Sequence, residues 1–251
     1  MGTDAVIVLT SRLPEASLGG RFWQAASACA ADPGRLSRYR DWRDRYRSLG
    51  TDRLARLAIG KCLRLPPEGV RLGRDPYNRP FLRVPAGFAG DFNASHHRDL
   101  VGCAVVPRGR VGFDIADPED FHDPLLVAAL SGDERERLRD IPGDGDRRRF
   151  MARLWALKEA YLKLAGTGLG IEPSTIAFDM ARFESFGLVD SRQRLATGGK
   201  ERERVRFFLW SQAGMVVAAA TTTPDVPLVR EQVTWTELFS PFIPTASAAG
   251  R

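Results

Sequence analysis

Short apolar runs alternate with longer amphipathic stretches along most of this 251-residue chain. Runs of Val, Ile, Leu and Ala bounded by turn residues are typical of buried β-strands. This pattern predicts strands at residues 5–10, 100–106, 111–115, 176–178, 205–210 and 215–222. The four residues 211–214 between the last two strands favour a hairpin.

Between these runs, apolar and aromatic side chains recur every three or four positions, which is the spacing of one helix face. The recurrence predicts helices at residues 21–31, 35–47, 51–65, 123–130, 133–140 and 147–165. Thr51 is the expected N-cap of the third helix, and residues 142–146 form a loop before the last. The helix at 147–165 has the clearest pattern, and Gly166 ends it. Residues 241–251 are expected to form a flexible tail.

The chain contains a weak internal similarity. A basic helix at 51–65 precedes the apolar strand at 100–106, and a basic helix at 147–165 precedes the apolar strand at 215–222. We therefore predict an α+β fold built from two similar halves that meet near residues 107–110. The N-terminal half is expected to span residues 1–107 and the C-terminal half residues 108–240.

Composition narrows the class of protein. The chain is 43% apolar and 27% charged, which is typical of a soluble globular protein. No apolar run approaches the ~20 residues that a membrane-spanning helix needs, and the first residues lack the basic segment of a secretory signal. The three cysteines, Cys29, Cys62 and Cys103, are spaced neither as metal ligands nor as a disulfide framework. We therefore expect a cytoplasmic protein that does not associate with membranes.

Positive charge is concentrated in one segment. The net charge is +6, yet residues 35–83 alone contain thirteen Arg and one Lys against five acidic residues, so the rest of the chain is slightly acidic. A local positive field indicates an anionic partner, which could be a nucleic acid, a phosphorylated cofactor or an acidic protein.

The strongest chemical signal lies in the helix that continues into residues 155–169. Glu159 and Lys163 are four residues apart and therefore share one helix face. Lys158 and Lys163 are two of only four lysines in an Arg-rich chain. Their presence favours positions that need a compact ammonium, such as a phosphate or proton-transfer site. An exposed Glu–Lys pair without a chemical role has the same spacing and is the alternative.

Two further polar groups lie next to predicted strands. Asp114 ends the strand at 111–115, and oxygen ligands without His or Cys favour Mg²⁺. A carboxylate that caps the following turn is the alternative for this residue. Ser95 and His96 precede the strand at 100–106 and could donate hydrogen bonds to a phosphate, whereas an ordinary polar turn is the alternative for them.

Three segments together resemble a known family. FNASHH at 92–97, VGFDIAD at 111–117 and WALKEAYLKLAGTGL at 155–169 resemble the three ordered motifs of the 4′-phosphopantetheinyl transferases, in particular the two-domain surfactin-synthetase-activating type. Asn78-Arg79-Pro80 resembles the Gly-Lys-Pro element of the family, and residues 42–47 resemble its basic segment for the coenzyme A nucleotide. The resemblance implies two similar α+β halves with the active site between them, in a monomer.

The same resemblance implies a reaction. The 4′-phosphopantetheine arm of coenzyme A is transferred to a serine of an acyl or peptidyl carrier protein, and 3′,5′-ADP is released. By this resemblance Asp114 and Glu159 hold Mg²⁺, and Lys163 binds a pyrophosphate oxygen. Either Glu159 or a metal-bound water deprotonates the serine. The residues implied in holding coenzyme A are Arg43, Arg47, Arg79, Ser95, His96, Lys158 and Lys163. His96 is expected near the 3′-phosphate, and for Lys158 packing or surface charge is the alternative.

The chain departs from the family pattern at Ala116, where many members have a Glu that supplies a third metal ligand. A water molecule can fill that position, and Asp117 is the other substitute. The residues after Asp117 are a candidate docking face for carrier proteins of fatty-acid, polyketide or peptide synthesis. The apolar side chains of that face are Leu125, Leu126, Val127 and Leu130, for which core packing is the alternative.

Two rival functions remain at the level of sequence. A basic nucleic-acid-binding protein would explain the charge and the Arg-, Tyr- and Trp-containing segment at 38–47, but not the helix at 155–169 or Asp114. An inactive relative that only binds carrier proteins is the second rival, since Ala116 removes one metal ligand.

Overall fold

A computed structural model of the chain describes residues 4–28, 30, 32–75, 79–122, 124–166, 170–178, 189–195, 203–223 and 225–240. In chain order its helices and strands are β1 (Val6–Arg12), α1 (Gly19–Ala28), α2 (Pro33–Arg38), α3 (Trp42–Leu63), β2 (Arg71–Arg74), β3 (Pro80–Val84), β4 (Asp91–His97), β5 (Leu100–Val106), β6 (Val111–Ala116), α4 (Gly132–Arg139), α5 (Asp144–Ala165), β7 (Val189–Leu195), β8 (Glu203–Gln212), β9 (Met215–Thr221), β10 (Leu228–Gln232) and α6 (Trp235–Phe239).

The described strands form two four-stranded sheets and a separate hairpin. The first sheet has the order β10-β1-β5-β4, in which only β10 and β1 are parallel. The second sheet, β6-β9-β8-β7, is antiparallel throughout, and β2 pairs with β3 in the hairpin. The predicted α+β fold class is confirmed. Because β10 follows β9 in the chain yet pairs with β1, the C-terminal segment returns to the first sheet.

Each large sheet has a long helix on one face and the other sheet on its opposite face. Helix α3 packs on β1, β4 and β5, and α5 packs on β6 and β9. The alternation along β1 shows the two faces: Ile7 and Leu9 join the core under α3, whereas Val6 and Val8 join the core between the sheets. The two halves are therefore joined by a continuous apolar interior rather than by a linker alone.

The structure corrects the predicted helices at 35–47 and 51–65. The chain forms the short helix α2, breaks at residues 39–41 and continues as the single helix α3, whose N-cap is Asp41. Thr51, the predicted N-cap, lies inside α3 and donates its hydroxyl to the Arg47 carbonyl at 2.7 Å. Gly50 does not break the helix; a Cβ there would lie 2.7 Å from the Trp235 ring, so this position needs glycine for packing.

Other elements also differ from the sequence-based expectation. Residues 176–178 are not a strand but follow a 3-10 turn at Pro173–Thr175, and the helix expected at 123–130 is a 3-10 helix at Pro124–Ala129. Helix α5 begins at Asp144, inside the expected loop. The predicted tail at 241–251 lies outside the described residues. None of the helices in the described part of the chain is long and apolar enough to cross a membrane.

Candidate active site

Two edge strands, β4 of the first sheet and β6 of the second, meet along a seam between the halves. Val111 N donates to Asp91 Oδ2 at 3.2 Å, and Phe113 N donates to Asn93 Oδ1 at 3.3 Å. Side chains of β4 thus satisfy backbone donors of β6 that an exposed sheet edge would present to water. The next pair along the seam is Ser95 and Asp114.

Ser95, Asp114 and Lys163 form a hydrogen-bonded cluster at this end of the seam. Ser95 Oγ donates to Asp114 Oδ1 at 3.0 Å. Lys163 Nζ donates to the same carboxylate oxygen at 2.6 Å, to Ser95 Oγ at 3.1 Å and to the Phe113 carbonyl at 3.2 Å. The Asp114 side chain is 9% exposed and the Lys163 side chain 29% exposed, so the ammonium has one side open to solvent.

Glu159 lies one helical turn before Lys163 on α5 and is half-buried. Burial raises the pKa of its carboxyl group, and the negative charge of Asp114 raises it further, whereas Lys163 acts in the opposite direction. The carboxylates of Asp114 and Glu159 also provide the hard oxygen ligands that a divalent cation prefers.

This cluster offers a metal ion two carboxylates, those of Asp114 and Glu159. No group of three or more His, Cys, Asp or Glu residues that could hold a metal occurs among the described residues. Ala116, two positions after Asp114 on the same face of β6, is buried and has no oxygen in its side chain. The Asp117 carboxylate pairs with Arg98 and accepts from Glu119 N at 2.8 Å, so it is engaged in capping the following turn.

The close approach of α5 to β6 depends on Gly112. A Cβ at this position would lie 1.8 Å from the Ala160 carbonyl oxygen and 2.6 Å from Leu164 N. Only glycine permits this backbone-to-backbone contact, which places the α5 face with Glu159 and Lys163 against the strand with Asp114.

His96 links this cluster to a cavity in the N-terminal half. It follows Ser95 on β4 and lies in the cavity wall. The pKa of its imidazole is lowered by partial desolvation and by the positive charges of Arg47 and Lys163. Arg47 Nη1 is held by Asp44 Oδ1 at 2.6 Å, and its Nε donates to the Arg98 carbonyl.

The cavity has a volume of about 410 Å³. Its wall contains three arginines, one histidine and two aspartates beside apolar residues: Arg35, Arg74, Arg83, His96, Asp32, Asp52 and Phe92. Burial and the charge of Arg35 lower the pKa of Arg74, which is the direction expected where cations are gathered. The sequence indicated positive charge in this segment, but it did not single out Arg35, Arg74 or Arg83.

Arg79 lies at the other end of the seam. Its Nη2 donates to Asp91 Oδ2 at 3.0 Å, and a Cβ at Gly166 would lie 2.8 Å from its Nη1. Arg79 is thus next to the end of α5. Arg43 is exposed at the start of α3, with its guanidinium 4.7 Å from the centroid of the Trp42 ring.

The structure does not bring Lys158 into the cleft. Its side chain is 1% exposed, and Nζ donates to Glu134 Oε2 at 2.6 Å, to the Ala129 carbonyl at 2.8 Å and to the Pro173 carbonyl at 3.0 Å. This environment corrects the expected role of Lys158 in coenzyme A binding, because all three ammonium protons are donated to protein oxygens. The alternative of packing inside the protein agrees with the structure.

The expected docking segment is largely packed inward. Leu130 is 2% exposed and belongs to the core under α5, and Leu126 and Val127 pack against that core while remaining partly exposed. Phe121 also contacts this core and meets the Trp155 ring edge-on, at 6.2 Å between centroids. The side chain of Leu125 lies outside the described residues.

Comparison with known proteins identifies the family on both sides of the seam. Residues 110–220 match the model described as the 4′-phosphopantetheinyl transferase superfamily, and residues 21–108 match the model of the 4′-phosphopantetheinyl transferase N-terminal region. The chain belongs to the 4′-phosphopantetheinyl transferase superfamily. The resemblance of its three motifs to this superfamily is confirmed.

Named relatives agree with this membership. A phosphopantetheinyl transferase of Thraustochytrium is 30% identical over 170 residues, which are 62% of this chain and 58% of the relative. The human L-aminoadipate-semialdehyde dehydrogenase-phosphopantetheinyl transferase is 28% identical over 201 residues, or 75% and 59%. The 4′-phosphopantetheinyl transferase of Bacillus subtilis is 29% identical over 146 residues, or 58% and 63%. The chain thus covers less than two thirds of each of these transferases.

Proposed function

We propose that this chain transfers the 4′-phosphopantetheine arm of coenzyme A to a serine hydroxyl of an apo carrier protein. The observation that carries the proposal is the cluster at the seam, where Ser95 of one half meets Asp114, Glu159 and Lys163 of the other. Membership of the transferase superfamily, with one matching model on each side of this seam, supports it.

The 410 Å³ cavity beside His96 suits the nucleotide end of coenzyme A. Its volume is within the usual range of small-molecule sites, about 300–1,000 Å³. Arg35, Arg74 and Arg83 supply positive charge for phosphate groups, and the partly exposed Leu72 supplies apolar surface for a base. With the nucleotide in this cavity, the pyrophosphate would extend past His96 to Lys163.

The donor set at the seam fits a hard divalent cation, and we propose Mg²⁺. Asp114 and Glu159 would hold it, because they offer oxygen ligands in a partly desolvated site, where burial and the charge of Asp114 raise the pKa of Glu159. When bound, the ion supplies Lewis-acid stabilisation of negative charge on the pyrophosphate. Two protein ligands leave several positions for water and substrate oxygens, as Mg²⁺ commonly requires.

The side chains of the cluster have distinct proposed roles in the transfer. The carrier serine oxygen forms a bond to the phosphorus that bears pantetheine, and the bond from that phosphorus to 3′,5′-ADP breaks. Lys163 stabilises the leaving phosphate by donating to its oxygens. Glu159 is the proposed acceptor of the serine proton, because it is the half-buried carboxylate on the α5 face that also carries Lys163. Because one chain supplies both sides of the cleft, we propose that it acts as a monomer.

The experiment that tests this function is the mass change of carrier proteins. Apo acyl and peptidyl carriers are incubated with the protein, coenzyme A and Mg²⁺, and their intact masses are measured. We expect one phosphopantetheine per carrier, no change in a carrier whose acceptor serine is replaced by alanine, and loss of transfer with EDTA. Absence of transfer to every carrier, while a known transferase modifies them in parallel, would refute the proposal.

A further inference from the structure

Lys158 and Glu134 form a buried ion pair immediately next to the candidate metal ligand Glu159. Lys158 is 1% exposed and Glu134 is 0% exposed, and their charged groups are 2.6 Å apart. The remaining ammonium protons go to the carbonyls of Ala129 and Pro173. The motif lysine is therefore saturated by protein oxygens and has no direct access to a substrate.

Glu134 is equally saturated, and its partners come from different segments. Its Oε2 also accepts from Ser131 N at 2.8 Å within a capping box, and its Oε1 accepts from Phe178 N at 3.1 Å. One ion pair thereby connects the end of a 3-10 helix, the start of α4, helix α5 and residues 173–178. Each connection is directional, so together they restrict the rotation of α5 about its axis.

Rotation of α5 matters because Glu159 and Lys163 reach the seam from this helix. A helix with its side chains has a radius of about 5–6 Å, so a rotation of about 10° moves a carboxylate near its surface by roughly 1 Å. A misplacement of about 1 Å can lower a rate roughly 100-fold. Residues 158 and 159 are adjacent on α5, so fixing one fixes the direction of the other.

We propose that the Lys158–Glu134 pair is a positioning device that sets the orientation of Glu159 toward Asp114. This inference rests on the proposed transferase function. Apolar side chains could fill the same volume at a lower desolvation cost, but they would not fix a direction. The pair therefore adds a geometric constraint that packing of α5 on β6 does not itself provide.

The test removes both buried charges and leaves the apolar core filled. In the double variant Glu134→Gln/Lys158→Met no uncompensated charge remains inside the protein. We expect it to unfold cooperatively above the assay temperature and to lose roughly 10- to 100-fold in kcat, with KM for coenzyme A within about threefold of the parent. A residue that only stabilised the fold would leave kcat unchanged in a folded variant.

The matched control is Asp146→Asn/Arg149→Met, which removes an exposed ion pair from the first turns of the same helix. We expect kcat within about twofold of the parent, because exposed pairs contribute little. A folded Glu134→Gln/Lys158→Met variant with the kcat of this control would overturn the inference.

A second variant decides the question if the double variant does not fold. Glu134→Asp keeps a carboxylate opposite the buried ammonium, but it shortens the acidic side chain by about 1.5 Å. We expect kcat to fall roughly tenfold with little change in KM, and a parent-like kcat would overturn the inference. A parent protein that transfers nothing refutes the proposed function itself, whereas an active parent with equally fast variants refutes only the positioning role.

Discussion

The contact between Gly112 and α5 allows a quantitative test of how the fold places the site. In Gly112→Ala the new Cβ would lie 1.8 Å from the Ala160 carbonyl oxygen, whereas such contacts essentially never fall under 3.0 Å. Both atoms at the contact are attached to backbone, so no side-chain rotation relieves it. Helix α5 must therefore withdraw from β6 by at least about 1.2 Å.

This withdrawal affects both stability and catalysis. Overpacking of this kind costs about 1–3 kcal/mol in the free energy of unfolding. The same movement takes the 2.6 Å contact between Lys163 Nζ and Asp114 Oδ1 beyond hydrogen-bonding distance. For a displacement of this size we expect a loss of roughly 100-fold in kcat.

The assay compares Gly112→Ala with the parent and with Gly132→Ala. Gly132 is the first residue of α4, and a Cβ there meets nothing within 4 Å. Chemical unfolding gives the change in stability and the carrier mass shift gives kcat. We expect Gly132→Ala to stay within about 0.5 kcal/mol of the parent and to keep its activity. Parent-like stability and kcat in Gly112→Ala would refute the helix placement.

Three further predictions concern single side chains near the site. Partial desolvation and neighbouring positive charges lower the pKa of His96, so binding of an anionic phosphate should draw a proton onto it. Calorimetry of coenzyme A binding in two buffers of different ionisation enthalpy should show proton uptake by the parent and none by His96→Gln. Equal proton uptake by both proteins would contradict the placement of His96 next to the phosphates. Ala116→Glu adds a carboxylate beside Asp114 and should tighten the binding of Mn²⁺ roughly tenfold in the absence of coenzyme A. The electron paramagnetic resonance of free Mn²⁺ measures this affinity. An unchanged affinity would place Ala116 away from the metal site. Arg98, in the turn between β4 and β5, has a φ of 47°, so Arg98→Gly should relieve backbone strain. The same change should raise KM for coenzyme A by releasing this turn from Asp117, and an unchanged KM would show that the ion pair does not position the turn.

Local patterns were sufficient for the strands that are buried on both faces. Predicted strands at 100–106, 111–115 and 215–222 correspond to β5, β6 and β9, whose residues are buried throughout. Continuous apolar runs are diagnostic in such positions because neither face of the strand contacts water.

The edge strand β4 could not be predicted in the same way. Its polar residues are equally typical of a turn, and the local pattern leaves that alternative open for Ser95 and His96. In the structure, three polar side chains of β4 have partners on the other half: Asp91 and Asn93 accept from β6 backbone, and Ser95 donates to Asp114. Contacts between distant segments decide this strand, and no local pattern contains them.

The two motif lysines show the same limit within one helix. Lys158 and Lys163 have similar sequence contexts, and both were expected to bind coenzyme A. The structure buries Lys158 against Glu134 and places Lys163 at the seam with Asp114. Because five residues correspond to a rotation of about 140° on a helix, the two side chains cannot face the same site. The five-residue spacing is enough to predict that the two lysines point in different directions, but it does not show which one faces the cleft.

The most direct test of the central claim is the rate of phosphopantetheine transfer by Glu159→Gln, measured from the intact mass of an apo carrier protein. This change keeps the volume of the side chain and removes its charge, and Glu136→Gln, on the exposed face of α4, is the matched control. We predict that the parent and Glu136→Gln modify the carrier at the same rate and that Glu159→Gln is at least about 100-fold slower. Transfer by Glu159→Gln at the parent rate would contradict the assignment of the active site to the seam between β4, β6 and α5.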